Sequence, residues 1–157
     1  MSDEVLASVK ASATRRWMGV GMLAAIGGIV IYVAFATPPD TLWQIFLLAT
    51  GAGALWMADA MRRATEHGIE LTRKELRDTS GVCLARVDDI RVVERGFLAF
   101  KPSNGFLIRT KTAGSRRWRP GMWWRLGRQI GVGGVTPASQ TKPMSEILSA
   151  MLAERDL

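Results

Sequence analysis

The sequence predicts a membrane α+β protein, a two-helix transmembrane hairpin followed by a seven-stranded antiparallel domain with a C-terminal capping helix. Three observations predict it: two apolar runs, Trp17 to Ala36 and Leu42 to Met61; short extended segments cut by turn residues from Gly68 onward; and one apolar stripe near the C-terminus. Residues 1–16 form an N-terminal cytoplasmic segment, 17–61 the hairpin, and 62–157 a cytoplasmic domain.

Each apolar run is about 30 Å long as a helix, the hydrocarbon thickness of a bilayer. Thr37-Pro38-Pro39-Asp40-Thr41 separates them. A soluble helix of this length needs a polar face. The first run holds no charge, and the second only Asp59, which Arg62 and Arg63 follow within helical reach. Trp17, Trp43 and Trp56 lie near the run ends, as an aromatic belt requires. Lys10, Arg15 and Arg16 precede the hairpin and Arg62 and Arg63 follow it, whereas the loop carries only Asp40. The positive-inside bias therefore puts both termini in the cytoplasm. Ala34-Phe35-Ala36 resembles a signal-peptide cleavage site, but the run is long and a second follows, so cleavage is not expected. The small pairs Gly21 and Ala25, Ala24 and Gly28, and Ala49 and Gly53 are spaced for close helix approach, within the hairpin or with a partner helix.

The charge of +7 is uneven. Lys10, Arg15 and Arg16 against Asp3, Glu4, Asp40 and Asp59 leave residues 1–61 at −1, so the rest carries +8. A cationic domain tethered below a bilayer is drawn to anionic headgroups. Cys83 is the only cysteine, which excludes an intrachain disulfide and a thiolate metal cluster; it is expected as a buried strand residue. His67 is the only histidine and is expected as a solvated juxtamembrane residue. No metal or cofactor set emerges.

Before the hairpin, Val5, Leu6, Val9 and Ala13 sit at helical spacing, giving either a short surface helix or a frayed terminus. After it come seven expected strands: 69–72, 75–79, 82–87, 90–95, 97–101, 106–111 and 129–135. Alternation in Phe106, Ile108 and Thr110 against Leu107, Arg109 and Lys111 gives a sheet with one wet face. Pro143 near its start, and Met144, Ile147, Leu148, Met151 and Leu152 in one stripe, define the last helix, expected to begin near Thr141 or Lys142.

Two membrane helices, the strand Gly68-Ile69-Glu70-Leu71-Thr72 running into Arg73-Lys74-Glu75-Leu76, the step Val87-Asp88-Asp89-Ile90, and a closing helix together resemble the bacterial pleckstrin-homology-like small membrane proteins. The resemblance covers the hairpin and residues 69–155 and is architectural. It implies a seven-stranded PH-like half-barrel capped by the helix and an interaction role, and it carries over no catalytic residue. The chain departs from the family at residues 112–128, where a shorter polar turn is usual.

That stretch, Ser115 to Arg128, holds five Arg, three Trp and no acid. Arg116, Arg117, Trp118, Arg119, Trp123, Trp124, Arg125 and Arg128 form the candidate contact surface for anionic lipid or a protein partner, since arginine forks onto phosphate and both residue types are frequent at interface hot spots. The alternative is that the Trp side chains fill the domain core and the Arg side chains rim it. Nucleic acid is not expected as a partner, because nothing else resembles a nucleic-acid module. Gly131-Val132-Gly133-Gly134 lacks the Lys-Ser/Thr ending of a phosphate loop, adjacent Asp88 and Asp89 make a poor acid and base pair, and Met144 and Met151 are stripe residues rather than a copper site. The expected function is non-catalytic: an accessory subunit, assembly factor or scaffold at the bacterial inner membrane, within a membrane complex or by self-association. A lipid-binding module, or less readily a membrane-embedded enzyme, is the rival.

Overall fold

A computed structural model describes residues 4–96 and 102–157. Two helices, α1 (Ala13–Ala36) and α2 (Thr41–Ala64), are long and apolar enough to cross a membrane, and only 11% of each span is buried. They pack on each other through Gly27 and Gly51. A Cβ on either glycine would come within 3.0 Å of the other's carbonyl oxygen. The small pairs singled out in the sequence mostly face outward instead: Gly21, Ala25, Gly28, Ala49 and Gly53 are exposed. Near the connecting loop, Gln44 Nε2 donates to Ala34 O across the pair at 3.1 Å.

Residues 5–9 form neither a surface helix nor a frayed end. They make strand β1 (Val5–Val9), antiparallel to β2 (Ile69–Thr72), with Val9 opposite Ile69 and Ala7 opposite Leu71. The helical hairpin is therefore inserted between two paired strands, and the N-terminal segment belongs to the sheet domain. Strands β3 (Glu75–Asp78) and β4 (Cys83–Arg86) complete a four-stranded antiparallel sheet in the order β1-β2-β3-β4. A short 3-10 turn, Val87–Asp89, leads to a second sheet, β5-β6-β7, made of β5 (Ile90–Glu94), β6 (Phe106–Arg119) and β7 (Trp123–Val132).

Helix α3 (Ala138–Arg155) starts a turn earlier than the sequence predicts, with Pro137 at its N-cap and Pro143 inside it. Proline fits the first turn best, which drew the expected start toward residue 141. The apolar stripe is a packing face: Met144 and Leu148 are fully buried and Leu152 nearly so, against a core that both sheets share.

Four expected strands, at residues 69–72, 75–79, 82–87 and 90–95, match β2 to β5 within a residue or two. The expected strand at 97–101 lies outside the described residues. The largest departure is at residues 112–128. They are no insertion loop but the continuation of β6 and the start of β7, a long ribbon in which Arg119 faces Trp123, Trp118 faces Trp124, and Phe106 faces Val132.

The ribbon does not run straight. Its register shifts on both sides of Gly114, which is paired with Gly127, and Gly127 has φ +61. Bulges with a left-handed glycine bend a strand sharply. The tip consequently folds back to its own base: Gly133 N donates to Met122 O at 2.8 Å and Val135 N to Gly121 O at 3.0 Å. Fold-back drops Met122 and Trp123 into the core beside Phe106, Ile130 and Leu84.

Candidate functional site

Arg119-Pro120-Gly121-Met122 forms the ribbon tip. Met122 N donates to Arg119 O at 3.1 Å, and Gly121 has φ +82, the positive value that the third position of a type II turn demands. The turn sits on the end of α2: a Cβ at Gly121 would stand 3.3 Å from side-chain atoms of Met61, Thr65 and Val135.

This contact belongs to a neck joining helices and sheets. Ser12 N donates to Val135 O at 2.8 Å, Arg15 Nη1 to Thr136 O at 3.2 Å, and Lys10 N to Gln140 Oε1 at 2.8 Å. Arg16 reaches across to the other helix, donating from Nη2 to Arg62 O at 3.0 Å and lying 3.9 Å from Glu66. Its guanidinium also stands 5.2 Å from the Trp17 ring centroid. Asp59 is held by Arg62 at 2.9 Å and by Arg63. The pairing of Asp59 with the two arginines that follow it is thus realised.

The eight residues of the Arg/Trp surface do not act as one unit. Trp123 is 2% exposed, and its Nε1 donates to Asp78 Oδ2 at 3.2 Å; Asp78, also buried, accepts Ser80 N on Oδ1 at 2.8 Å. Arg125 is half-buried and ties the ribbon to β4, donating from Nη1 to Leu84 O at 2.6 Å and from Nε to Gly127 O at 3.4 Å. Trp124 is half-buried and covers Gly131, where a Cβ would collide with its indole. Arg116, Arg117, Trp118 and Arg128 are exposed, and Arg119 is half-exposed at the turn. Of the membrane-anchor residues, Trp17, Trp43 and Trp56 all present exposed indoles, and Arg62 and Arg63 are exposed at the end of α2.

Several concavities flank the ribbon; one, at its base, takes in Arg128 beside Arg109 and Lys111, and two lie nearer the tip. Of those two, one, of about 390 Å³, lies between the β3-β4 turn and the ribbon, with Cys83, Ser115, Arg117 and Arg125 on its walls. The other, of about 280 Å³, lies between α2 and the tip and brings Trp56 and Arg63 to Trp118 and Arg119. Neither the juxtaposition with Trp56 nor the neck was legible from spacing, because the partners are 46 or more residues apart in the chain. Asp78 was missed as well, although Asp-Thr-Ser-Gly is a recognisable turn sequence whose carboxyl caps the Ser80 N–H.

Cys83 is exposed rather than buried, on the edge strand β4. Partial burial of its thiol, followed by a hydrogen bond with Glu75, still raises its pKa above the ordinary value; Arg125 and Arg86 pull weakly the other way. Among the described residues, no three His, Cys, Asp or Glu side chains are grouped to hold a metal ion.

Comparison with protein-family models, with curated proteins and with solved structures found no match.

Proposed function

We propose that this chain is a non-catalytic integral protein of the bacterial inner membrane. Its hairpin spans the bilayer, both termini are cytoplasmic, and a PH-like sheet domain is held at the inner leaflet as an accessory subunit, assembly factor or scaffold. One observation carries this reading: the helical pair is inside out. Met22, Ile26, Ile29, Tyr32, Phe35 and Phe46 are all more than half exposed, while the face that packs is made of Gly27, Ala34, Gly51 and Ala58. Water is a poor solvent for such a surface, and lipid a good one.

Two antiparallel sheets of four and three strands closed by a C-terminal helix are compatible with the PH-like half-barrel. Because β1 and β2 leave and re-enter the sheet on either side of the hairpin, the domain is attached to the membrane at two points. It cannot swing as a domain on a single linker would, and a fixed orientation suits a scaffold.

The test uses the full chain in bacterial membranes. It should resist carbonate extraction, and a C-terminal tag should be protease-accessible only in inverted vesicles. Mild solubilisation should bring down a membrane-protein companion or a second copy in fixed ratio. A chain that is monodisperse without detergent overturns the membrane reading, and a strictly solitary monomer in mild detergent overturns the scaffold reading.

A further inference from the structure

We propose that the niche between the end of α2 and the tip of the β6-β7 ribbon binds the phosphate of an anionic phospholipid headgroup. The proposal rests on the membrane reading above and assigns a ligand to one place on it. Four observations converge there. Ala60 and Ala64 are small, so α2 leaves room beside Trp56 for a cavity of about 280 Å³ that Trp118, Arg119 and Pro120 close from the ribbon side. Trp56 and Trp118 are 61% and 55% exposed although they come from distant parts of the chain. An exposed indole with an apolar body and one N–H donor is suited to the boundary between acyl chains and headgroups.

Charge supplies the third observation. Arg63 and Arg119 are brought to one cavity whose lining holds no acid among the described residues; nearby on α2, Asp59 is shared by Arg62 and Arg63, and just beyond its end Glu66 is paired with Arg62 and Arg16. Among the described residues, the Arg119 guanidinium has no hydrogen-bond or ion-pair partner. A phosphate diester bears one negative charge and free acceptor oxygens, and a guanidinium fork can meet two of them at once.

Position is the fourth. The niche begins at Trp56 and ends at Ala64, the last residue of α2, where the apolar span gives way to charge. A soluble phosphate would use the arginines and leave both indoles in water. A phospholipid uses both, with its phosphate on the arginines and its glycerol and upper acyl chains along Trp56 and Trp118.

The experiment uses the full chain in mixed micelles holding equal phosphatidylglycerol and phosphatidylcholine, with bound lipid read by native mass spectrometry. The wild type should retain phosphatidylglycerol in preference by about fivefold, roughly what one basic residue near an anionic surface contributes. Arg119→Gln should abolish the preference. Arg91→Gln, the same charge change on exposed β5, should keep it. Arg119→Lys, which preserves the charge, should retain more of it than Arg119→Gln and guards against a folding artefact. Equal retention of the two lipids, equal behaviour of Arg119→Gln and Arg91→Gln, or displacement by excess inorganic phosphate would overturn the site. A chain that needs no detergent would instead overturn the membrane reading beneath it, so the two failures are distinguishable.

Discussion

Trp123→Phe separates a core tryptophan from a contact tryptophan, and the structure sets its size. The Trp123 indole is 2% exposed and donates at 3.2 Å to Asp78 Oδ2, itself on a residue 2% exposed. Phenylalanine keeps most of the apolar volume but removes the donor. Leaving a buried acceptor unpartnered costs about 1 to 3 kcal/mol. The missing part of the ring system adds about 1 kcal/mol of lost burial. Together, at about 2 to 4 kcal/mol in a domain of this size, they lower Tm by about 10 °C or more. Thermal unfolding of the full chain in mild detergent, followed by the fluorescence of the remaining tryptophans, measures it. Trp118→Phe is the matched control, because its ring is 55% exposed and the change is worth no more than about 0.5 kcal/mol. If the two variants melt together, Trp123 is not the keystone of the folded-back ribbon and the division of the Arg/Trp surface is wrong.

Gly51→Val should destabilise the helical pair by about 1 to 3 kcal/mol in a denaturing-detergent titration, because a Cβ there meets the Ile31 side chain and Gly27 O. Gly53→Val, with nothing within 4 Å of its Cβ position, should be close to neutral, and equal effects would refute the assigned packing face. For Cys83, the thiolate is the reactive form, so a raised pKa lowers the thiolate fraction at any given pH. Its maleimide-labelling profile should therefore have its midpoint above that of free cysteine, and Glu75→Gln should move it back down by removing the like charge and replacing a carboxylate acceptor with a weaker, neutral amide. A wild-type midpoint at or below that of free cysteine would contradict the desolvation and Glu75 contacts described.

Legibility in the sequence tracked how local the cause was. The apolar spans, the four strands from Ile69 to Glu94 and the α3 stripe each follow from the spacing of residues within one segment, and each stands where that spacing puts it. The N-terminal strand shows the limit. Val5, Leu6, Val9 and Ala13 fit a helical period, yet Val5, Ala7 and Val9 fit a period of two equally well. In so short a stretch the partner decides, and the open edge of β2 is supplied only after the chain has gone through both helices. Residues 112–128 failed differently: alternation is hard to see across the irregular register around Gly114, because each bulge reverses which face a side chain occupies.

The chain by itself determined that two long stretches are apolar enough to cross a membrane, that a basic antiparallel domain follows, and that a helix closes it, since composition and periodicity act over a few turns or strand lengths. Tertiary structure alone decided that Trp123 lies inside and Trp118 outside, that Arg125 serves the fold while the Arg119 guanidinium has no partner among the described residues, and that Trp56 and Trp118 line one cavity. The physical reason is that burial belongs to a place rather than to a residue type, and the ribbon's bend at Gly114 and Gly127 determines which places its side chains reach.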